Sequence, residues 1–459
     1  MRAGSGIARG LAAVAIALVA TAAAPIEGGG AAAPAPAVGE TACEKDVAFA
    51  LPLLEKQCGA LLRQKKVDWK KVSAEITAAA KKAKGDSDHL LVLLKLVARL
   101  RDGHAEVRPL EKGKAVEAPA ELRAPRGGLG LFLCRIGKKL VVKNVFAEAQ
   151  KSGLEPGMAL VTVDGKPAEE WMKARIGELA DIGCFSTEQH AFFFACHQGL
   201  EFPSGTRVAL GLEAPSGKAL SRTITCGKAR QVPWGPLSIP ADAKGSDDVH
   251  WWKTKDGFGV IHLRRCVADL PEQVEAALAG LGRVPGIVLD FRGNSGGAFD
   301  SEALMGRFVP PGRTLAFNKK YESAGKVPYG GPLVVIVDAT VRSAGETGSG
   351  MFKEDGRGYL IGESATAGMS SSKETLDLPS GLFQLYFSVA SNMGRFNGGR
   401  GVEGIGVAPH ELVSYAVKDL EAGVDTLLAR ALAILARFPD DPAYAKAKVP
   451  YDPKDFGWK

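Results

Sequence analysis

Apolar positions recur every three or four residues from Glu44 to about Arg101, most clearly in "VDWKKVSAEITAAAKKAK" and "DHLLVLLKLVARL". That period predicts amphipathic helices. The helical run ends in "RDGHAEV", and a connector rich in Pro, Lys and Glu leads to Pro125. Beyond it the apolar runs are short and separated by turn residues, in "GGLGLFL", "KLVVKNV" and "GLEPGMALVTVDGKP", the pattern of a β-rich segment. A helical, cysteine-bearing insert from Trp171 to Phe202 interrupts the strands, which resume in the hairpin "TRVALGLEAPSGKALSRTITC". From about His250 strand and helix patterns alternate: "FGVIHLRRC", "LPEQVEAALAGL", "PGIVLDFRGNSGG", "SEALMGRFV" and "GPLVVIVDA". This alternation predicts an α/β domain. It closes with "GYLIGESATAG", the hairpin-like "KETLDLPSGLFQLYFSVA", the turn "GVEGIGVAP" and a helix from about Leu420 to Arg437. There are no internal repeats.

The N-terminus adds a processing signal to this picture. Arg2 and Arg9 precede an apolar stretch from Leu11 to Ala24 that ends in small residues, the make-up of a secretory signal peptide over residues 1–24. The stretch is shorter than the ~20 residues a bilayer span needs, and no later segment is long and apolar enough, so no stable membrane span is expected. Residues 25–42, mostly Gly, Ala and Pro, read as a linker, and 438–459 as a tail. The expected location is outside the cytoplasm, periplasmic or extracellular.

Of the 459 residues 46% are apolar and 24% charged, which is ordinary for globular domains, and the formal charge of +7 is spread along the chain. A nucleic-acid partner is therefore not expected. Export makes the seven cysteines disulfide candidates, with Cys184 and Cys196 the best-placed pair because they bracket one short segment. Cys43 and Cys58 could pair only if the helix between them broke at Pro52, since 15 helical residues span about 22 Å. No C-x-x-C spacing occurs and the histidines show no ligand spacing, so neither a metal nor a cofactor is expected.

The candidate chemistry centres on "VRSAGE", Val341 to Glu346, directly behind the apolar run Pro332 to Asp338. Ser343 and Glu346 have capping-box spacing, which by itself reads as a helix start. A serine at a strand-to-helix turn also has its hydroxyl beside backbone amides and a helix dipole, where a nucleophile and its oxyanion hole can be built.

Four stretches, "GIVLDFRGNSGG" (Gly286 to Gly297), "VVIVDATVRSAGE" (Val334 to Glu346), "YLIGESATAG" (Tyr359 to Gly368) and "GVEGIGVAP" (Gly401 to Pro409), resemble in content and order the S41 serine peptidases. That family includes carboxy-terminal processing proteases and the tricorn core protease. The resemblance covers roughly residues 44–437. It implies a crotonase-like α/β catalytic domain of the S41 type over 245–437, a PDZ-like β-rich domain over 125–230 with insert 171–202, and an N-terminal helical segment over 43–115. Ser343 falls on the nucleophile position. A serine hydroxyl needs a base and its tetrahedral oxyanion needs preorganised donors; the amide of Ala344 and the loop at Gly296 and Gly297 match the donors.

For the base, two branches of the family stay open. The processing proteases resemble Ser-Lys enzymes, but Met369 follows Gly368 here and the first lysine is Lys373. The tricorn-like branch uses a histidine ahead of the PDZ region and a late glutamate, positions matched by His104 and Glu403; Gly103 stands where the tricorn protease has a serine. An imidazole of ordinary pKa, near 6.5, is basic at pH 7, and a carboxylate can orient it. The loop Gly128, Leu129, Gly130, Leu131 resembles the carboxylate-binding loop of PDZ domains, implying polypeptide C-termini as ligands. The expected activity is an exported serine endopeptidase acting on polypeptides. The alternative is a catalytically inactive peptide- or hydrophobic-ligand-binding protein on an S41 scaffold.

Overall fold

The computed structural model describes residues 41–110, 116–227, 235–312, 314–316, 320–369, 371–392 and 394–438. The expected signal peptide, residues 25–40 of the linker and the tail beyond Phe438 lie outside them. The described chain forms two units, the first built from residues up to 123 with 180–184 and 373–389, the second from 124–179, 185–372 and the chain from 390 onward.

In the first unit three helices, Ala42–Gln64, Trp69–Ala80 and Asp86–Arg99, follow the three-to-four-residue apolar spacing. The first starts at a capping box: Thr41 Oγ1 accepts the Glu44 amide at 3.2 Å and the Glu44 carboxylate accepts the Thr41 amide at 3.0 Å. Leu54, Ile76, Leu93 and Leu96 interlock as its buried centre. The chain returns to this core late, because the strands Glu106–Pro109, Phe383–Ser391 and Ser371–Asp377 form one small sheet in that order. Its Phe383, Leu385 and Phe387 pack among the helical leucines. Asp46, fully buried, fixes the hairpin turn by accepting from the Ser380 amide and hydroxyl at 2.8 and 2.6 Å. The hairpin, read in the sequence as part of the α/β stretch, thus belongs to the helical core, where its alternating large side chains find apolar partners.

The second unit holds a seven-stranded sheet. Its centre is Gly259–Leu263, Ile287–Asp290, Leu333–Val337 and Tyr359–Gly362, paired in parallel in that order and buried throughout, as expected for strands covered on both faces. An antiparallel strand, Val249–Lys253, lines one side, and Glu411–Leu412 adds on the other. Helix Leu270–Leu281 and the start of the segment after Val337 pack on one face, helix Thr426–Ala436 on the opposite face. The Arg292 guanidinium, fully buried, is held by Asp290 at 2.6 Å, Asp425 at 2.8 Å and the Tyr415 hydroxyl at 3.1 Å.

Beside it lies an antiparallel sheet ordered Leu131–Ile136, Lys139–Val145, Ala159–Val163, Arg207–Glu213, Ala219–Thr225. The insert becomes helices Ala168–Ala180 and Glu188–Cys196. Lys143 of this sheet reaches Glu363 at 3.3 Å; both are buried, and the lysine also lies over the Tyr415 ring. Among the described residues no helix is long and apolar enough to cross a membrane.

The cysteine expectations are corrected. All seven cysteines are free thiols. Cys196 is packed in the core of the β-rich sheet and Cys184 against the helical core, so the ends of the short segment serve two different cores. Helix Ala42–Gln64 runs unbroken through Pro52, which faces solvent, and Cys43 and Cys58 stay apart along it. Burial pushes both thiols up to about 12, so they are unreactive.

Candidate active site

Ser343 stands between the buried strand Leu333–Val337 and helix Ala344–Glu354 with φ +53° and ψ −124°. A non-glycine residue with positive φ is strained, by an order of 1–3 kcal/mol. The strain aims the side chain away from the cap. The Ser343–Glu346 pair keeps the outline of a capping box, and Glu346 Oε2 accepts the Ser343 amide at 3.1 Å. The Glu346 amide, however, donates to the Ser343 carbonyl at 3.0 Å, and the hydroxyl makes no cap hydrogen bond. The hydroxyl is therefore not committed to the helix cap.

The glycine loop "RGNSGG" lies against this turn. Gly296 has φ +82°, and a Cβ built on it would stand 2.6 Å from Ser343 Cβ. Gly297 has φ +134°, and a Cβ there would collide with the Cys266 carbonyl. Asn294, fully buried, ties loop to turn: its side chain donates to the Leu263 carbonyl at 2.8 Å, and its own carbonyl accepts the Arg342 amide at 2.9 Å. The same side chain accepts the Gly296 amide at 2.9 Å. Gly296 was expected as an oxyanion donor, but its N–H is already spent internally. Among the described residues no acceptor takes the amides of Ala344 or Gly297. Replacing Gly296 by Ala should cost on the order of 2–4 kcal/mol, from positive φ and overpacking together. Urea denaturation of that variant checks the figure.

Glu346, unremarked in the sequence except as a cap, is the hub of the site. It is fully buried, and its carboxylate accepts from Thr366 Oγ1 at 2.6 Å, Gly368 N at 2.7 Å and Met369 N at 2.8 Å besides Ser343 N. Burial pushes its carboxyl up to about 7, and the donors, which favour the charged form, oppose the rise. Its folded pKa thus exceeds the unfolded one, so the stability it contributes is present below about pH 4.5 and is lost as pH rises towards 7. Glu346→Gln places an amide NH₂ against N–H donors. It should destabilise by about 1–3 kcal/mol at pH 8 and flatten that part of the stability–pH curve, read by denaturation at several pH values.

The loop 366–369 is zipped in turn to the turn carrying Glu403. Val407 N donates to Thr366 Oγ1 at 2.6 Å and Gly404 N to the Gly368 carbonyl at 2.7 Å. Glu403 is fully buried; Ser391 Oγ accepts its amide at 3.2 Å and its Oε1 accepts from Ser186 Oγ at 2.9 Å. One hydrogen-bonded chain therefore runs from the Ser343 amide through Glu346 and Thr366 to the backbone around Glu403. Neither Ser186 nor Asn294 carried a signal in sequence, since each matters through a partner distant along the chain.

His104 is carried by the helical unit, in the turn between helix Asp86–Arg99 and strand Glu106–Pro109, and is half-buried. Buried Asp102 shapes the turn, accepting the His104 amide at 2.9 Å and the Ser388 amide and hydroxyl at 2.6 and 2.9 Å. Lys373 lies in strand Ser371–Asp377 of the same unit between two exposed residues. Other histidines serve structure: His262 Nε2 meets the Arg292 carbonyl at 2.8 Å, and His410 Nδ1 accepts the Leu360 amide at 2.9 Å.

The first part of the loop expected to bind a peptide carboxylate pairs with the chain itself. Strand Arg126–Gly128 pairs with Glu201–Pro203, setting Gly128 opposite Glu201, and the Leu129 amide donates to the Leu200 carbonyl at 3.1 Å. Leu129 and Leu131 are buried, lining an apolar pocket with Leu133, Trp171 and Leu200. Gly130, at φ +81°, abuts the Phe146 carbonyl. The insert that interrupts the strands in sequence is what closes this loop.

Comparison with known proteins bears on the family and the fold. Residues 257–413 match the model of Peptidase family S41. The chloroplastic C-terminal processing peptidase of Tetradesmus obliquus is 24% identical over 274 residues, 57% of this chain and 53% of that protein. This chain's match thus spans about half the length of that relative. The carboxyl-terminal-processing protease of Synechocystis sp. is 23% identical over 329 residues, 66% of this chain and 67% of its own. Among solved structures, mature CPAF covers 86% of this chain and 98% of its own at a TM-score of 0.63 and 14% identity, a likeness of fold. Residues 257–413, within the α/β part of this chain, thus match peptidase family S41, and the relatives support an S41 family peptidase.

Proposed function

We propose that the chain is a serine endopeptidase of polypeptides, exported by residues 1–24, in which Ser343 is the nucleophile. The observation that carries the reading is the strained Ser343 turn, whose hydroxyl makes no helix-cap hydrogen bond, together with the amides of Ala344 and Gly297, which no acceptor among the described residues takes. Ser343 Oγ attacks the scissile carbonyl and loses its proton to His104. The Ala344 and Gly297 amides hold the oxyanion, and the protonated imidazole returns the proton to the leaving amine while the Glu403 carboxylate orients it. Met369 occupies the place of the processing branch's lysine and contributes only its amide, to Glu346. Capture of free C-termini by loop 127–131 is not part of this reading, because its Leu129 amide is already bonded. Peptides with free and amidated C-termini should accordingly be cleaved with kcat/KM values within about twofold of each other.

The testing experiment is hydrolysis of fluorescently labelled, unfolded casein by the purified protein, with and without prior reaction with a fluorophosphonate. Cleavage that the reagent abolishes supports the reading. A protein that binds casein without cleaving it and does not react is a binding protein on the same scaffold.

A further inference from the structure

The insert carries more than a lid for the β-rich sheet. Its segment Ser186–Thr187–Glu188–Gln189 lands on both loops of the site. Thr187 Oγ1 donates to the Ala367 carbonyl at 2.8 Å, and Gln189 Nε2 bridges the carbonyls of Thr366 and Ile405 at 3.1 and 3.0 Å. Thr187 also caps helix Glu188–Cys196, accepting the His190 amide at 3.2 Å. This rigid helix start delivers Ser186, only 2% exposed, to Glu403, where its hydroxyl donates to Oε1 at 2.9 Å. Glu403 is fully buried, and a buried carboxylate with two rotatable oxygens needs donors to fix its plane. The immediate sequence offers none, since Glu403 is flanked by Val402 and Gly404. The hydroxyl comes from 217 residues away.

We propose that Ser186 is the positioning residue of the Glu403 carboxylate, so that the insert, by sequence a decoration of the β-rich domain, completes the peptidase site. The inference rests on the serine-peptidase reading above. Ser186 touches no substrate; it acts by holding Glu403 in the one rotamer that can orient the base. Three features separate this from a merely structural role: the effect falls on kcat rather than KM, it follows the hydroxyl rather than the side-chain volume, and it vanishes when Glu403 no longer carries a charge.

The test compares the full chain with S186A, S186T, S186V, E403Q and the double variant S186A/E403Q. Fluorophosphonate titration counts the reactive sites, and casein hydrolysis gives the rate per titrated site. S186A and S186V should lose roughly 10- to 100-fold in kcat per site with KM unchanged, the range carried by one hydrogen bond to a charged group. S186T should stay within about threefold of the parent, and S186A added to E403Q should cost less than about threefold more. If S186A does not fold, the shape-matched pair S186T and S186V decides alone. Equal rates per site in Thr and Val variants, or losses that add in the double variant, overturn the role of Ser186 while leaving the peptidase reading intact. A parent protein that neither titrates nor cleaves overturns that reading instead.

Discussion

Ser343→Ala should abolish casein hydrolysis, by about 10⁴-fold or more, while leaving the urea midpoint almost unmoved. The deleted atom is a single hydroxyl that makes no cap hydrogen bond, and alanine meets the same backbone strain at φ +53°. A serine that served as an N-cap would show the reverse signature, a stability loss of about 1 kcal/mol with turnover unchanged. Strain supplies an internal control. Ser343→Gly should be as inactive as the alanine variant yet more stable than it by about 1 kcal/mol, because glycine adopts this conformation without a Cβ clash. Melting and hydrolysis of the three proteins side by side separate these cases.

The second large effect concerns the base. His104→Ala should lower kcat by about 10⁴-fold, whereas Lys373→Ala should change it by less than about twofold. A lysine acts as a base at neutral pH only when burial or neighbouring charge brings its pKa down from about 10.4. Lys373 is half-buried in strand Ser371–Asp377, with exposed Ser372 and Glu374 on either side of it in the chain. His104 has the better support: the turn that carries it is pinned at its backbone by a buried carboxylate, Asp102, with two further hydrogen bonds to Ser388. Glu403→Gln should fall between the two. A fully active His104→Ala beside a dead Lys373→Ala would move the site to the Ser-Lys branch.

What was legible in the sequence was whatever is encoded by period and spacing. The parallel strands announced themselves because a strand covered on both faces must be apolar throughout, as Leu333–Val337 is. The Ser343 turn was legible because an apolar run ends just before a serine at capping-box spacing from Glu346, which marks a strand-to-helix turn. Less legible were contacts between residues far apart in the chain. Glu346 looked like an ordinary cap partner, yet three of its four donors lie 20 to 23 residues on. Glu403 was read only from its place in the turn "GVEGIGVAP", where nothing in the spacing signals that it is fully buried. The hairpin 371–391 has the same alternation whether it joins the α/β sheet or the helical core, and only Phe383, Leu385 and Phe387 meeting the helices decides it. The pairing of the glycine-rich loop at 127–131 was hidden for a similar reason, since the strand Glu201–Pro203 that pairs with its start is about 75 residues away.

The most direct measurement is the position of the covalent bond. The protein is reacted to completion with a fluorophosphonate, digested and mapped by mass spectrometry, with residual casein hydrolysis measured on the same sample. The account predicts one phosphonyl group per chain, on Ser343, with hydrolysis lost in proportion to its occupancy. Casein hydrolysis that persists with Ser343 fully modified, or that is lost with Ser343 unmodified, would contradict it.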